Sequence, residues 1–143
     1  MARYRSSFVT TAGSATLPAA SLYAAAAVAP RLREIWVTNT TATNLDVRIL
    51  RLTTTGTQGA AQTAEKDDPD TVAASASPRT THSVAPTLSD EIGRISIGAA
   101  IGAGAIVPFG DQGIRIPVGT GNGIGIIPVG TGQVLNVTFV WDE

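Results

Sequence analysis

At 143 residues the chain is long enough for one well-cored domain and too short for two comfortable ones. Charged residues make up 15% of it, the formal net charge is -1 and the only lysine is Lys66, which excludes a general electrostatic attraction to nucleic acid or to an anionic membrane. Cys is absent, so disulfides, thiol catalysis and cysteine-bound zinc or iron-sulfur centres are excluded too.

The first twenty residues, MARYRSSFVTTAGSATLPAA, turn to Ser, Thr and Gly where a secretory signal needs a continuous apolar run. Cytosolic synthesis is therefore the expectation, and the two sequons at Asn39 and Asn136 carry little weight. YRSSFVTT, from Tyr4, has the aromatic and β-branched content of an edge strand or ordered arm. After it, Ser21 is placed to cap a short helix over residues 22–29, since alanine favours helix and Pro30 stops it. Residues 1–31 thus read as an N-terminal arm or first strand with a short helix, and residues 32–143 as a β-sandwich domain.

LREIWVTNTT and NLDVRILRLTTT read as two strands joined across residues 40–43. In the second, Leu45, Val47 and Ile49 share one face and Asp46 and Arg48 the other, until Leu50 and Leu52 make that second face partly apolar. Trp36 falls opposite Ile35 and Val37, so either both faces are covered, which is the simpler reading, or Trp36 meets a neighbouring subunit. Arg31, Arg33, Arg48 and Arg51 lie close by, either as ordinary strand-surface charge or as intersubunit partners for Glu34, Asp46, Asp142 or Glu143.

Periodicity breaks down over residues 53–81, which hold the dense charge run from Glu65 to Asp70 among Gly, Ser, Ala and Pro. DDPDTVAAS lacks the glycine, spacing and terminal glutamate of a calcium loop, so no metal is expected. A loop this long within a small domain needs a contact to hold it, here expected to be a subunit or partner. His82, the only histidine, is expected on a loop or strand surface, with no histidine cluster and no credible serine triad around it.

Order returns in EIGRISIGAAIGAGAIVPFG, then in GIRIPVG, GIGIIPVG and VLNVTFVWDE, each bounded by Gly or Pro. Such close spacing leaves no room for the helical crossovers of a parallel sheet. The expected fold is an all-β antiparallel sandwich of about eight strands, jelly-roll-like, with the N-terminal arm and the 53–81 loop added.

PVGTG occurs twice, eleven residues apart, and GTGNGIG between the copies imitates a nucleotide-binding loop. It lacks the Lys and Ser or Thr of a phosphate loop, and β-branched isoleucines and Pro128 stand where a helix would have to start. The expected role is a tight turn at Asn122 and Gly123, both tolerant of positive φ. Carboxylates such as Glu34, Asp46, Asp90, Glu91 and Asp111 show no pairing pattern that suggests glycoside hydrolysis. No catalytic residue, cofactor or enzyme activity is expected.

Three segments, PRLREIWVTNTTATNLDVRILRLTTTGTQG, ISIGAAIGAGAIVPFGDQGIRIPVG and GIGIIPVGTGQVLNVTFVWDE, resemble small virion proteins of tailed bacteriophages in overall wording. The resemblance implies a β-sandwich structural subunit that decorates a capsid or contributes to a tail, often as a trimer. It implies the major capsid protein or another virion protein as partner, and a location on the capsid surface or tail. Tyr4, Phe8, Arg33, Trp36, Phe109 and Trp141 are then the candidate interface residues. A carbohydrate-binding sandwich is the alternative of a different class, with Trp36 or Trp141 as its aromatic platform.

Overall fold

The computed structural model describes residues 1–130 and 133–143. Among the described residues there are eleven strands: β1 (Arg3–Val9), β2 (Ala20–Tyr23), β3 (Arg31–Asn39), β4 (Leu45–Leu52), β5 (Glu65–Lys66), β6 (Ser77–Arg79), β7 (Leu88–Ile97), β8 (Gly104–Pro108), β9 (Ile114–Arg115), β10 (Gly123–Val129) and β11 (Leu135–Asp142). They form two antiparallel sheets, ordered β5-β1-β11-β3-β8, with β9 also on β3, and β6-β2-β10-β4-β7. Setting aside β5, β6 and β9, which have two or three residues each, the eight remaining strands follow the orders first-eighth-third-sixth and second-seventh-fourth-fifth. Each strand is followed by one in the other sheet, except where β4 leads to β7 along its own sheet. This is the wrapped double-sheet connectivity of a jelly roll.

Alternation sets the inner faces. Leu45, Val47 and Ile49 of β4 meet Leu22, Ile124 and Ile126 from the same sheet and Tyr4, Ile35, Val37, Val137, Phe139 and Trp141 from the other. The Tyr4 and Trp141 rings stack with centroids 5.9 Å apart. In β3 the buried positions jump from Leu32 to Ile35 because the register with β11 shifts: Glu34 pairs with Val140 and Leu32 with Trp141, leaving Arg33 as the extra residue of a bulge.

Leu50 and Leu52 are also buried, although they lie on the outer face of their sheet. The cover is the 53–87 segment. Thr57 bridges to Val84 and Ala61 to Arg79, the His82 amide donates to Pro18 O at 2.9 Å, and Tyr23 Oη donates to Thr54 O at 3.1 Å. The same segment places β5 beside β1 and β6 beside β2, closing one edge of both sheets. The long loop is thus a strap, held by this chain's own outer face. A contact to hold so long a loop was expected, and the chain itself supplies one.

Two other expectations are corrected. No helix forms over residues 22–29, because Leu22 and Tyr23 belong to β2 and insert between β10 and β6; tertiary pairing overrides the alanine preference of so short a segment. The turn spans Gly119 to Asn122, so Asn122 closes it and Gly123 lies past it. Gly119 has φ +113, the Asn122 amide donates back to Gly119 O at 3.0 Å, and Asn122 Nδ2 donates to Val118 O at 2.7 Å. Asn122 has negative φ and Gly123 already belongs to β10. Of the second PVGTG copy, Pro128 and Val129 lie within β10, and Thr131 and Gly132 lie outside the described residues.

Candidate functional site

The outer face of the β1-β11-β3-β8 sheet is the surface with most to offer a partner. The bulge at Arg33 turns Glu34, Trp36 and Thr38 outward. Trp36 is half-buried there, with its Nε1 donating to Glu34 Oε2 at 2.7 Å. It is opposite Ile106 of β8 on one side and Thr138 of β11 on the other. Ile106 is 59% exposed, and Ile101 in the turn before β8 is 75% exposed. A recess of about 270 Å³ lies over this corner, lined by Trp36, Thr38, Gly102, Gly104, Ala105 and Ile106. An aromatic ring, an exposed isoleucine and the side-chain-free surface of two glycines make it an apolar patch with a polar rim.

Beside it, Asp142 joins two arginines. Arg3 Nε donates to Asp142 Oδ1 at 2.9 Å and Arg33 Nε approaches Oδ2 at 3.3 Å. A second recess of about 190 Å³ is lined by Arg3, Arg33, Glu34, Pro108, Gly110 and Asp111, and the Arg33 guanidinium also donates to the Asp111 carbonyl. These charges are satisfied within the chain. Arg48 likewise bonds Glu91 at 2.7 Å, and Arg51 donates to Arg115 O at 3.0 Å, so the intersubunit pairing considered from the sequence has intramolecular competitors.

The six expected interface residues separate into three groups. Tyr4 and Trp141 are core residues, fully enclosed between the sheets, because the β1 and β11 alternation that exposes Arg3 and Arg5 turns them inward. Their assignment to an interface is therefore corrected, and Trp141 is removed as an aromatic platform. Phe8 and Phe109 are half-buried against the core, Phe8 with its ring 6.3 Å from that of Phe139. Arg33 and Trp36 remain on the outer face, so the simpler reading of Trp36 as a core residue is also corrected.

One pairing was invisible in the sequence. His82 is only 2% exposed, in place of the surface position expected for it, and its Nε2 lies 2.8 Å from Ser21 Oγ. The imidazole sits beneath the strap, its ring centroid 6.0 Å from that of Tyr23. Nδ1 makes no hydrogen bond of good geometry. Burial is the largest influence on this imidazole and lowers its pKa; the nearby Thr55 backbone opposes the drop, and the Arg79 charge adds to it. Ser and His in contact suggest acyl transfer, but Ser21 is enclosed as well and no carboxylate orients the ring. The pair fastens the strap to β2.

Among the described residues no group of three or more His, Cys, Asp or Glu is placed to hold a metal ion. No helix among them is long and apolar enough to cross a membrane. Comparison with protein-family models, curated proteins and solved structures gives no match.

Proposed function

We propose that the protein is a structural subunit of a bacteriophage virion, a capsid decoration or cement protein that docks across neighbouring major capsid subunits and stabilises the head. The supporting observation is the asymmetry of the sandwich: β5 and β6 close one edge of both sheets, while the other ends in β8 beside the Trp36, Ile101 and Ile106 patch. A partly exposed aromatic with neighbouring aliphatics and a polar rim has the composition of a binding hot spot. The wording of the three virion-like segments supplies the virion context, since a jelly roll by itself serves many functions. On a particle each small contact is repeated, so modest individual affinities combine.

Adding the purified protein to undecorated capsids tests the proposal. Saturable binding with increased resistance to heat or mechanical rupture is expected, and Trp36→Ala reduces the binding. Absence of binding and unchanged rupture overturns the decoration role. Trp36, with the Glu34 carboxylate at its ring edge, also favours a second reading, a saccharide platform. That reading requires host glycans to change Trp36 fluorescence in a Trp141→Phe background, and fails if they do not.

A further inference from the structure

The free edge of β8 has a defined hydrogen-bond pattern. The Asn39 amide donates to Ala103 O at 2.7 Å and the Phe109 amide to Arg33 O at 2.9 Å; between these ends Val37 pairs with Ala105 and Ile35 with Val107. In an antiparallel ladder, alternate residues direct both main-chain groups to the same neighbour. Ala103, Ala105, Val107 and Phe109 therefore turn theirs to β3, whereas Gly104 and Ile106 turn theirs outward. Gly104 agrees with this: a Cβ there would meet Val37 O at 2.3 Å, so its Cα side faces β3 and its amide and carbonyl face away. At Pro108 the outward row has a carbonyl but no donor.

We propose that β8 pairs edge to edge with β8 of a second copy of this chain, about a two-fold axis at Ala105. In that register Gly104 of each copy is opposite Ile106 of the other, and each such pair exchanges two main-chain hydrogen bonds. The outer-face side chains fit as well. Ile106 of the second copy passes over Gly104, which has no side chain, into the recess of about 270 Å³ beside Trp36. That space exceeds the ~150 Å³ left by a truncated core leucine. Charge also permits it: the Pro108 end, where Glu34 lies in register, meets the uncharged Gly102 end of the other copy. The edge carries no lysine or other charged residue of the kind that blocks edge pairing.

This contact rests on the assembly role for its purpose and on the β8 geometry for its existence. A five-residue edge buries far less than the ~1,200 Å² of a stable dimer, so isolated protein associates weakly and reversibly. Sedimentation velocity over a concentration series is expected to show a monomer-dimer equilibrium. Ile106→Lys weakens it at least tenfold without lowering the unfolding midpoint, and Val84→Lys, on the strap, leaves it unchanged. Ala105→Cys introduces the only thiol, at a non-hydrogen-bonded pair whose Cα atoms are ~4.5 Å apart, within disulfide range. It is expected to give a covalent dimer on mild oxidation.

A protein that stays monomeric at the highest attainable concentration, with no disulfide-linked dimer from the Ala105→Cys variant, overturns edge pairing, as does a trimer indifferent to Ile106→Lys. Capsid binding retained by a strictly monomeric protein overturns the pairing alone. Dimerisation without capsid binding overturns the decoration role alone.

Discussion

Gly123 shows how one residue records its surroundings. It lies on the outer face of β10, and a Cβ there would meet Tyr23 Cδ1 at 2.8 Å and Leu22 O at 2.9 Å. Gly125 lies two residues further along the same face, where Leu52 and Pro18 press against it. These glycines therefore make room for a covering layer, and Gly119 supplies the positive-φ corner. Gly123→Val should destabilise the fold by about 1–3 kcal/mol through overpacking, measured by chemical denaturation; wild-type stability in the variant contradicts the close approach of Tyr23.

His82 carries a pH dependence of definite sign. Its folded pKa is lowered, chiefly by burial, below the ordinary imidazole value of about 6.5. The unfolded chain then binds more protons than the folded one between the two values, so stability rises with pH across that window. The contribution is complete above about pH 6.5 and is lost as pH falls from there towards the folded pKa. His82→Gln, which offers Ser21 an amide without a titrating ring, should flatten the slope of unfolding free energy against pH in that interval. An unchanged slope assigns the titration elsewhere.

Among the elements, the strap makes the molecule more than two layers. It covers Tyr23, Leu50 and Leu52, which are buried although on the outer side of their sheet. Leu52→Ala is expected to cost about 2–5 kcal/mol and to increase protease cleavage within residues 53–81. A small loss of stability with unchanged cleavage contradicts the idea that this apolar layer holds the strap. The sequence did carry a signal for it: the alternation of β4 ends when Leu50 and Leu52 place apolar side chains on the face already occupied by Asp46 and Arg48. What covers them was not legible, because the partners lie far along the chain and include His82, whose lone occurrence suggested a surface site.

The same distinction explains the other readings. Strand existence and the sandwich class follow from local alternation and turn residues, and these identified β3, β4, β10 and β11. Facing and pairing are long-range. Tyr4 and Trp141 looked like interface aromatics until the β1-β11 register, which places them directly opposite each other, turned both into the core. Residues 22–29 looked helical until pairing with β10 drew Leu22 and Tyr23 into a strand. The Trp36 patch was half-legible: its opposition to Ile35 and Val37 showed two faces, while the adjacency of Ile106 and the open β8 edge required the tertiary fold.

For the molecule as described, a closed edge, a strapped outer face and an open β8 edge beside Trp36 give a unit with a defined side for contact. That is the form expected of a subunit whose chemistry is burial and hydrogen bonding. The direct measurement is a cryo-EM map of the intact particle with this chain located in it. Head decoration predicts hundreds of copies on the outside of the head, each spanning neighbouring capsid subunits, with the outer face around Trp36 in contact. Finding the chain only in the tail, in a small multiple of three or six copies, or absent from the particle, would contradict it.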